Sequence, residues 1–123
     1  MNSPIKIKVE SKYIPERSNL AESYFFFAYQ VTITNNGNVK TQLISRYWHI
    51  TDANGKTEDI HGPGVVGQQP NLAPGEIFQY TSFCPLPTPL GTMEGSFQMM
   101  EENGRKYDAI IKPFRLAAPQ VLN

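Results

Sequence analysis

The sequence has a single cysteine, Cys84, no net charge and no long apolar run. One thiol excludes an intramolecular disulfide and suits a reducing compartment, so the expected location is cytoplasmic. Eleven Lys and Arg balance eleven Asp and Glu. That balance argues against a strongly basic nucleic-acid binder and against an acidic disordered tail. The longest apolar run, Tyr24 to Tyr29, falls far short of the roughly 20 residues that cross a bilayer, so no membrane insertion is expected. Met1 to Lys6 lack the basic-then-apolar order of a secretory leader, so none is expected. Helical periodicity is lacking too. No window places apolar residues at i, i+3, i+4 and i+7 over three turns without a proline or a β-branched run.

What is present is a strand pattern. Hydrophobic residues make up 40% of the 123, enough for a packed core, and the length suits one domain, 1–123, at about 100–200 residues per domain. From Tyr24 to Thr34, odd positions carry Phe25, Phe27, Tyr29, Val31 and Ile33, and even positions include Gln30, Thr32 and Thr34. Period-two alternation is the signature of a half-buried strand. Asn35-Asn36-Gly37-Asn38 then breaks it. Thr41 to Thr51 reads as a second strand, with Ile44, Trp48 and Ile50 on one face and Leu43, Tyr47 and His49 on the other. Arg46 shares the apolar parity, which places it near a bend or rim. Further strands are expected at Ile5 to Tyr13, Lys56 to Ile60, Glu76 to Ser82, Gly95 to Glu101 and Lys106 to Ile111, with turns at Asn54-Gly55 and Asn103-Gly104. The tail from Pro113 to Asn123 is expected to pack as an edge segment. About seven short antiparallel strands with frequent turns predict an all-β sandwich or barrel.

The same residues resemble a known family. Arg46-Tyr47-Trp48-His49-Ile50 with Asp52 and Gly55, and the run His61-Gly62-Pro63-Gly64-Val65-Val66-Gly67-Gln68-Gln69-Pro70, are similar to the ApaG family. Leu72, Pro74-Gly75-Glu76, Tyr80-Thr81-Ser82, Thr88-Pro89, Gly91, Met93, Gly95, Phe97, Gly104 and Pro113-Phe114 continue the likeness over nearly the whole chain. The resemblance implies an immunoglobulin-like, fibronectin-type-III-like β-sandwich and a small bacterial protein linked to cobalt resistance and magnesium efflux. Related domains inside larger eukaryotic proteins, including an F-box protein and a polymerase-interacting protein, imply an interaction module rather than an enzyme.

Gly62, Gly64 and Gly67 form a G-x-G-x-x-G string, which in a dinucleotide fold opens a helix onto a pyrophosphate. Here Pro70, Pro74 and Gly75 forbid that helix. No acid lies between Glu76 and Glu94 to bind a ribose, and Pro63 removes a backbone donor. What survives is an anion loop, in which N–H groups of Gly62, Gly64, Val65, Val66 and Gly67 would cradle a small anion or nucleotide phosphate. The alternative is a packing loop that uses glycine for backbone freedom. Between Thr57 and Gly104 there are six acids and no Lys or Arg, a segment charge of −6 flanked by +3 on either side. A cation for that loop would have to come from elsewhere, with Arg46 the candidate.

The implied link to cobalt and magnesium makes ligands worth seeking. His49, His61, Asp52, Asp59 and Cys84 are the available types, but no C-x-x-C, H-E-x-x-H or calcium-loop spacing is present. Direct divalent-cation binding stays a second alternative, resting on His49, His61 and Asp59. No cofactor and no catalytic residue are expected. Cys84 falls in an apolar Phe83–Pro87 loop and reads as a small hydrophobe. Glu101-Glu102 reads as a solvated hairpin end. Trp48, Tyr47 and Phe25 to Phe27 read as packing, while aromatics left on the even face, Tyr24 and Phe26, would offer an interface. The leading expectation is a non-enzymatic module for an unidentified protein partner, with a homodimer through a sheet edge as a further possibility.

Overall fold

A computed structural model describes residues 3–119. Eight strands run in chain order: β1 Ile5–Tyr13, β2 Phe25–Asn35, β3 Thr41–Asp52, β4 Thr57–Pro63, β5 Asn71–Leu72, β6 Ile77–Leu86, β7 Leu90–Glu101 and β8 Lys106–Ala117. They form two antiparallel sheets. One has the order β1-β2-β6, and the other β4-β3-β7-β8 with β5 added beside β3. This is the expected immunoglobulin-like sandwich, although six strands have nine to twelve residues and are not short.

The alternation in β2 works as expected. Phe25, Phe27, Tyr29, Val31 and Ile33 are buried, while Gln30 faces water. They meet Trp48 of β3, which is 2% exposed. Its ring lies 5.3 Å from Tyr29, 6.3 Å from Phe97 and 5.8 Å from Phe114, each edge-on, the geometry that ring quadrupoles favour. The core therefore joins both sheets through aromatic rings, with Tyr29–Phe114 at 6.0 Å and Tyr80–Phe97 at 6.5 Å beside the indole.

In β3 the face assignment departs from simple alternation. Leu43 pairs with Met99, but Ser45 pairs with Gln98, so β3 carries an extra residue at Ile44. That β-bulge reverses the parity. Leu43 is fully buried on the same side as Trp48 and Ile50, and Ile44 is only half-buried. A second offset puts an extra residue in β8 opposite Met93–Gly95. It falls beside Pro113, where a missing N–H costs the ladder nothing.

Other boundaries also differ from the sequence reading. Cys84 lies within β6, paired with Phe27, and not in a loop. β8 continues through Ala117 as the edge strand of its sheet, with Leu116 buried; the rest of the expected tail, 120–123, lies outside the described residues. Glu101 is 8% exposed and receives a 3.0 Å hydrogen bond from Arg105, so only Glu102 of that pair is solvated. β5 and the 3-10 turns at Pro15–Arg17 and Leu20–Glu22 carried too little pattern to be foreseen.

Buried Asn35 ties the loops at one end. Its Nδ2 donates to the Val39 and Leu72 carbonyls, both at 2.9 Å, and its Oδ1 accepts from Gly37 N at 2.9 Å. Replacing it strands a buried carbonyl. Asn35→Ala is expected to cost about 3 kcal/mol, read as a lower urea midpoint with an unchanged slope.

Candidate functional site

The β3–β4 hairpin sorts the polar residues into two places. On its outer face, pairing sets Tyr47 opposite His61 and His49 opposite Asp59. Tyr47 Oη donates to Asp59 Oδ1 at 2.6 Å, and His49 Nδ1 lies 2.7 Å from the same oxygen. The His61 ring stacks on Tyr47 at 4.7 Å. The Tyr47 hydrogen bond, then the His49 contact, hold the Asp59 carboxyl below its usual range.

The candidate metal ligands are thus only partly gathered. His49 and Asp59 touch, and His61 stacks on Tyr47 with no hydrogen bond to either of them among the described residues. Asp52 closes the hairpin turn by accepting from Asn54 N and Lys56 N, and Cys84 sits in the other sheet. Among the described residues no three His, Cys, Asp or Glu side chains converge as a metal would require.

The glycine loop follows β4 and is held to β3 at Ile44. The Ile44 carbonyl continues the β3–β4 register one step past Ser45–Pro63 and accepts from Gly64 N and Gln69 Nε2, both at 2.8 Å. Val65 and Gln68 exchange N–H···O bonds of 2.8 and 2.9 Å around a two-residue turn. Val66 and Gly67 at its tip have φ of 43° and 80°, the type I′ pattern. A β-branched residue at positive φ is strained by about 1–3 kcal/mol, and Val66 bears that strain while exposed. Gly64, at φ 58°, has no room for a side chain against the Gln68 carbonyl.

Two of the amides expected to face an anion, those of Gly64 and Val65, therefore point at carbonyl oxygens, and Gly62 belongs to strand β4. The loop offers a different function: it roofs a cleft. Two residues before Trp48 in β3, Arg46 shares its face and turns inward beside it. Its Nη1 donates to the carbonyls of Pro63 at 3.0 Å and Gly64 at 2.9 Å. Its guanidinium lies across Gly62, where a Cβ would come within 2.8 Å of Nη2. Glycine there permits close approach, and a side chain would displace the flexible end of Arg46.

The cleft has a volume of about 340 Å³ and is walled by Tyr29, Arg46, Trp48, Val65, Tyr80 and Ser82 beneath Pro63–Gly67. Burial pushes both phenols above their usual range, while the Arg46 charge draws them back slightly. Both remain O–H donors at neutral pH. Tyr80 is 8% exposed and its hydroxyl has no hydrogen-bonding partner among the described residues. Of these residues only Arg46 was singled out from sequence as a charge for this region. The signal for it was a cation at apolar parity; Tyr29, Tyr80 and Ser82 come from other strands and gave none.

Cys84 is 5% exposed, and burial pushes its thiol from 9.0 up to about 11. A raised acid pKa contributes stability that is complete below pH 9.0 and is lost as pH rises through about 11. Iodoacetamide at pH 8 is expected to leave the native thiol unmodified and to alkylate it once guanidinium unfolds the chain. Fast native alkylation would place Cys84 at the surface.

Comparison with other proteins agrees with this architecture. Residues 15–101 match the family described as the ApaG domain. The protein ApaG of Beijerinckia indica is 52% identical over 97% of this chain and 94% of that protein. The protein ApaG of Azotobacter vinelandii is 49% identical over 97% and 94%. The crystal structure of a Bordetella pertussis protein described as ApaA superposes with a TM-score of 0.92 at 48% identity, covering 94% of each chain. An X-ray structure of a structural-genomics target gives 0.93 at 43% identity, covering 100% of this chain and 93% of that one. The family match, the identity over nearly the whole chain and the shared fold lead to one conclusion: this chain belongs to the ApaG family.

Proposed function

We propose that the protein is a non-catalytic binding module that docks a protein partner on the outer face of the β1-β2-β6 sheet. The observation that carries this reading is an aromatic cluster on that face. Phe26 points away from the core, yet it is 7% exposed, not the open side chain expected of it. Phe83 stacks on it at 5.4 Å and Tyr24 at 6.2 Å, and the Arg17 guanidinium covers the ring at 4.3 Å. Tyr24, Phe83 and Leu20 around it are exposed. Aromatic residues and arginine dominate the energetics of protein interfaces.

The patch is held rigid before any partner arrives. Ser18 Oγ accepts from Phe26 N and donates to the Ile14 carbonyl, both at 2.9 Å, and Ile14 N donates to the Phe26 carbonyl. These bonds fix the 3-10 turn that carries Arg17. Pairing places Lys12 in one row with Ala28 and Phe83, and Lys6 further along the same face, beyond Glu10 and Lys8, which pair with each other at 3.3 Å. β6 adds no charge of its own. A partner with an apolar anchor flanked by acids complements such a face.

Recognition by a face rather than an edge is supported by the edges themselves. Pro63 in β4, Pro85 in β6 and Pro113 in β8 interrupt three of the four edge strands, a common device against strand addition. A homodimer through a sheet edge therefore has less support than face docking. A role in cobalt resistance or magnesium efflux is then indirect, exerted through the partner in the cytoplasm.

Affinity capture from native lysate with wild type, Phe83→Asp and Arg17→Glu tests the reading. An acidic-surfaced protein should be retained by wild type and lost by both variants at unchanged melting temperature. An empty capture, or the same proteins on all three, contradicts it.

A further inference from the structure

The cleft under the glycine loop stands apart from that docking face and has its own chemistry. Its walls contain one formal charge, the Arg46 guanidinium. Among the described residues no carboxylate lies within ion-pair distance of it. Nη1 is occupied by the Pro63 and Gly64 carbonyls, which leaves the Nε–Nη2 edge of the fork. That edge matches the two oxygens of a carboxylate. Tyr80 lines the same space, and its hydroxyl, enclosed behind the cleft wall, has no hydrogen-bonding partner among the described residues. A buried donor left unpaired costs free energy that a ligand oxygen would recover.

We propose that this cleft is a binding site for a carboxylate group on an apolar body, with Arg46 and Tyr80 holding the carboxylate and Trp48 and Val66 the body. Charge selects the class. A phosphate carries about −1.5 to −2 at neutral pH and would face a single cation ringed by loop carbonyls, whereas a carboxylate is neutralised by one guanidinium. Size agrees, since 340 Å³ lies at the small end of ligand sites, which span about 300–1,000 Å³. Gly62 is the positioning residue. Its missing Cβ lets the guanidinium lie flat against β4.

A 1H–15N NMR titration with phenylacetate, phenylacetamide and inorganic phosphate tests this, following Arg46 Nε, the Trp48 indole and the Val66 and Gly67 amides. Phenylacetate should saturate with a Kd of about 1 mM or below, phosphate should bind at least about tenfold more weakly, and the neutral amide should not saturate. Gly62→Ala, which displaces the guanidinium, and Tyr80→Phe, which removes the phenol donor, should each weaken phenylacetate by about tenfold. Tyr80→Phe should do so with a melting temperature equal to or above that of wild type, because an unpaired buried hydroxyl is lost. Signals unmoved at about 10 mM phenylacetate, amide or phosphate binding as tight as the acid, or unchanged affinity in Gly62→Ala and Tyr80→Phe would each overturn the site. A short peptide ending in phenylalanine, with a free or amidated C-terminus, separates the sources. Tighter binding of the free-ended peptide than of phenylacetate supports a protein chain end in the cleft; weaker binding supports a small acid there.

Discussion

The core of this sandwich depends on one extra residue in β3. Without the bulge at Ile44, strict alternation would send Leu43 and Trp48 to opposite faces. With it, both enter the core, while Arg46, two residues before Trp48, shares that face and the Ile44 carbonyl extends the β3–β4 register to hold Gly64 and Gln69. The segment from Leu43 to Trp48 therefore sets the core, seats the glycine loop and supplies the cation of the cleft. The bulge brings Leu43 and Trp48 to one face because an inserted residue changes direction and parity at once.

Much of this was legible in the sequence. The odd-numbered face of β2, the bounds of β1, and Arg46 as an inward-parity cation at a rim are all found in the structure. Local pattern carries such features, because side-chain direction follows position along a strand. The rest depends on pairing between strands. Nothing near Ile44 marks the bulge; it is defined by which residues of β7 lie opposite. Phe83 and Cys84 read as a proline-rich loop because Pro85 and Pro87 follow, yet an edge strand tolerates Pro85 where a central one would not. The cleft gathers Tyr29, Arg46 and Tyr80 from three strands, a convergence that spacing does not encode. The glycine string suggested an anion loop through its amides, whereas glycine at 62 and 64 makes room for a guanidinium and a carbonyl.

The neutral total charge conceals local patches. Lys6, Lys8 and Lys12 of β1 and Arg17 lie on or above the outer face of the three-stranded sheet, with Glu10 among them paired to Lys8 and no charge from β6. The other sheet is mixed, with Glu58 and Asp59 on β4 and Lys106, Lys112 and Arg115 on β8. Screening acts within about 8 Å at physiological salt, so a partner meets each patch locally. The inter-sheet cleft has a third environment, one cation among aromatic rings and carbonyls.

Amide hydrogen exchange tests the central claim most directly. If the Ile44 carbonyl holds the glycine loop, the Gly64, Val65 and Gln68 amides exchange slowly, as strand amides do, while Val66 and Gly67 at the turn tip exchange near the unprotected rate. Gly64 exchanging as fast as Gly67 would contradict the account, because the loop would then be free of the bulge and its amides open to solvent.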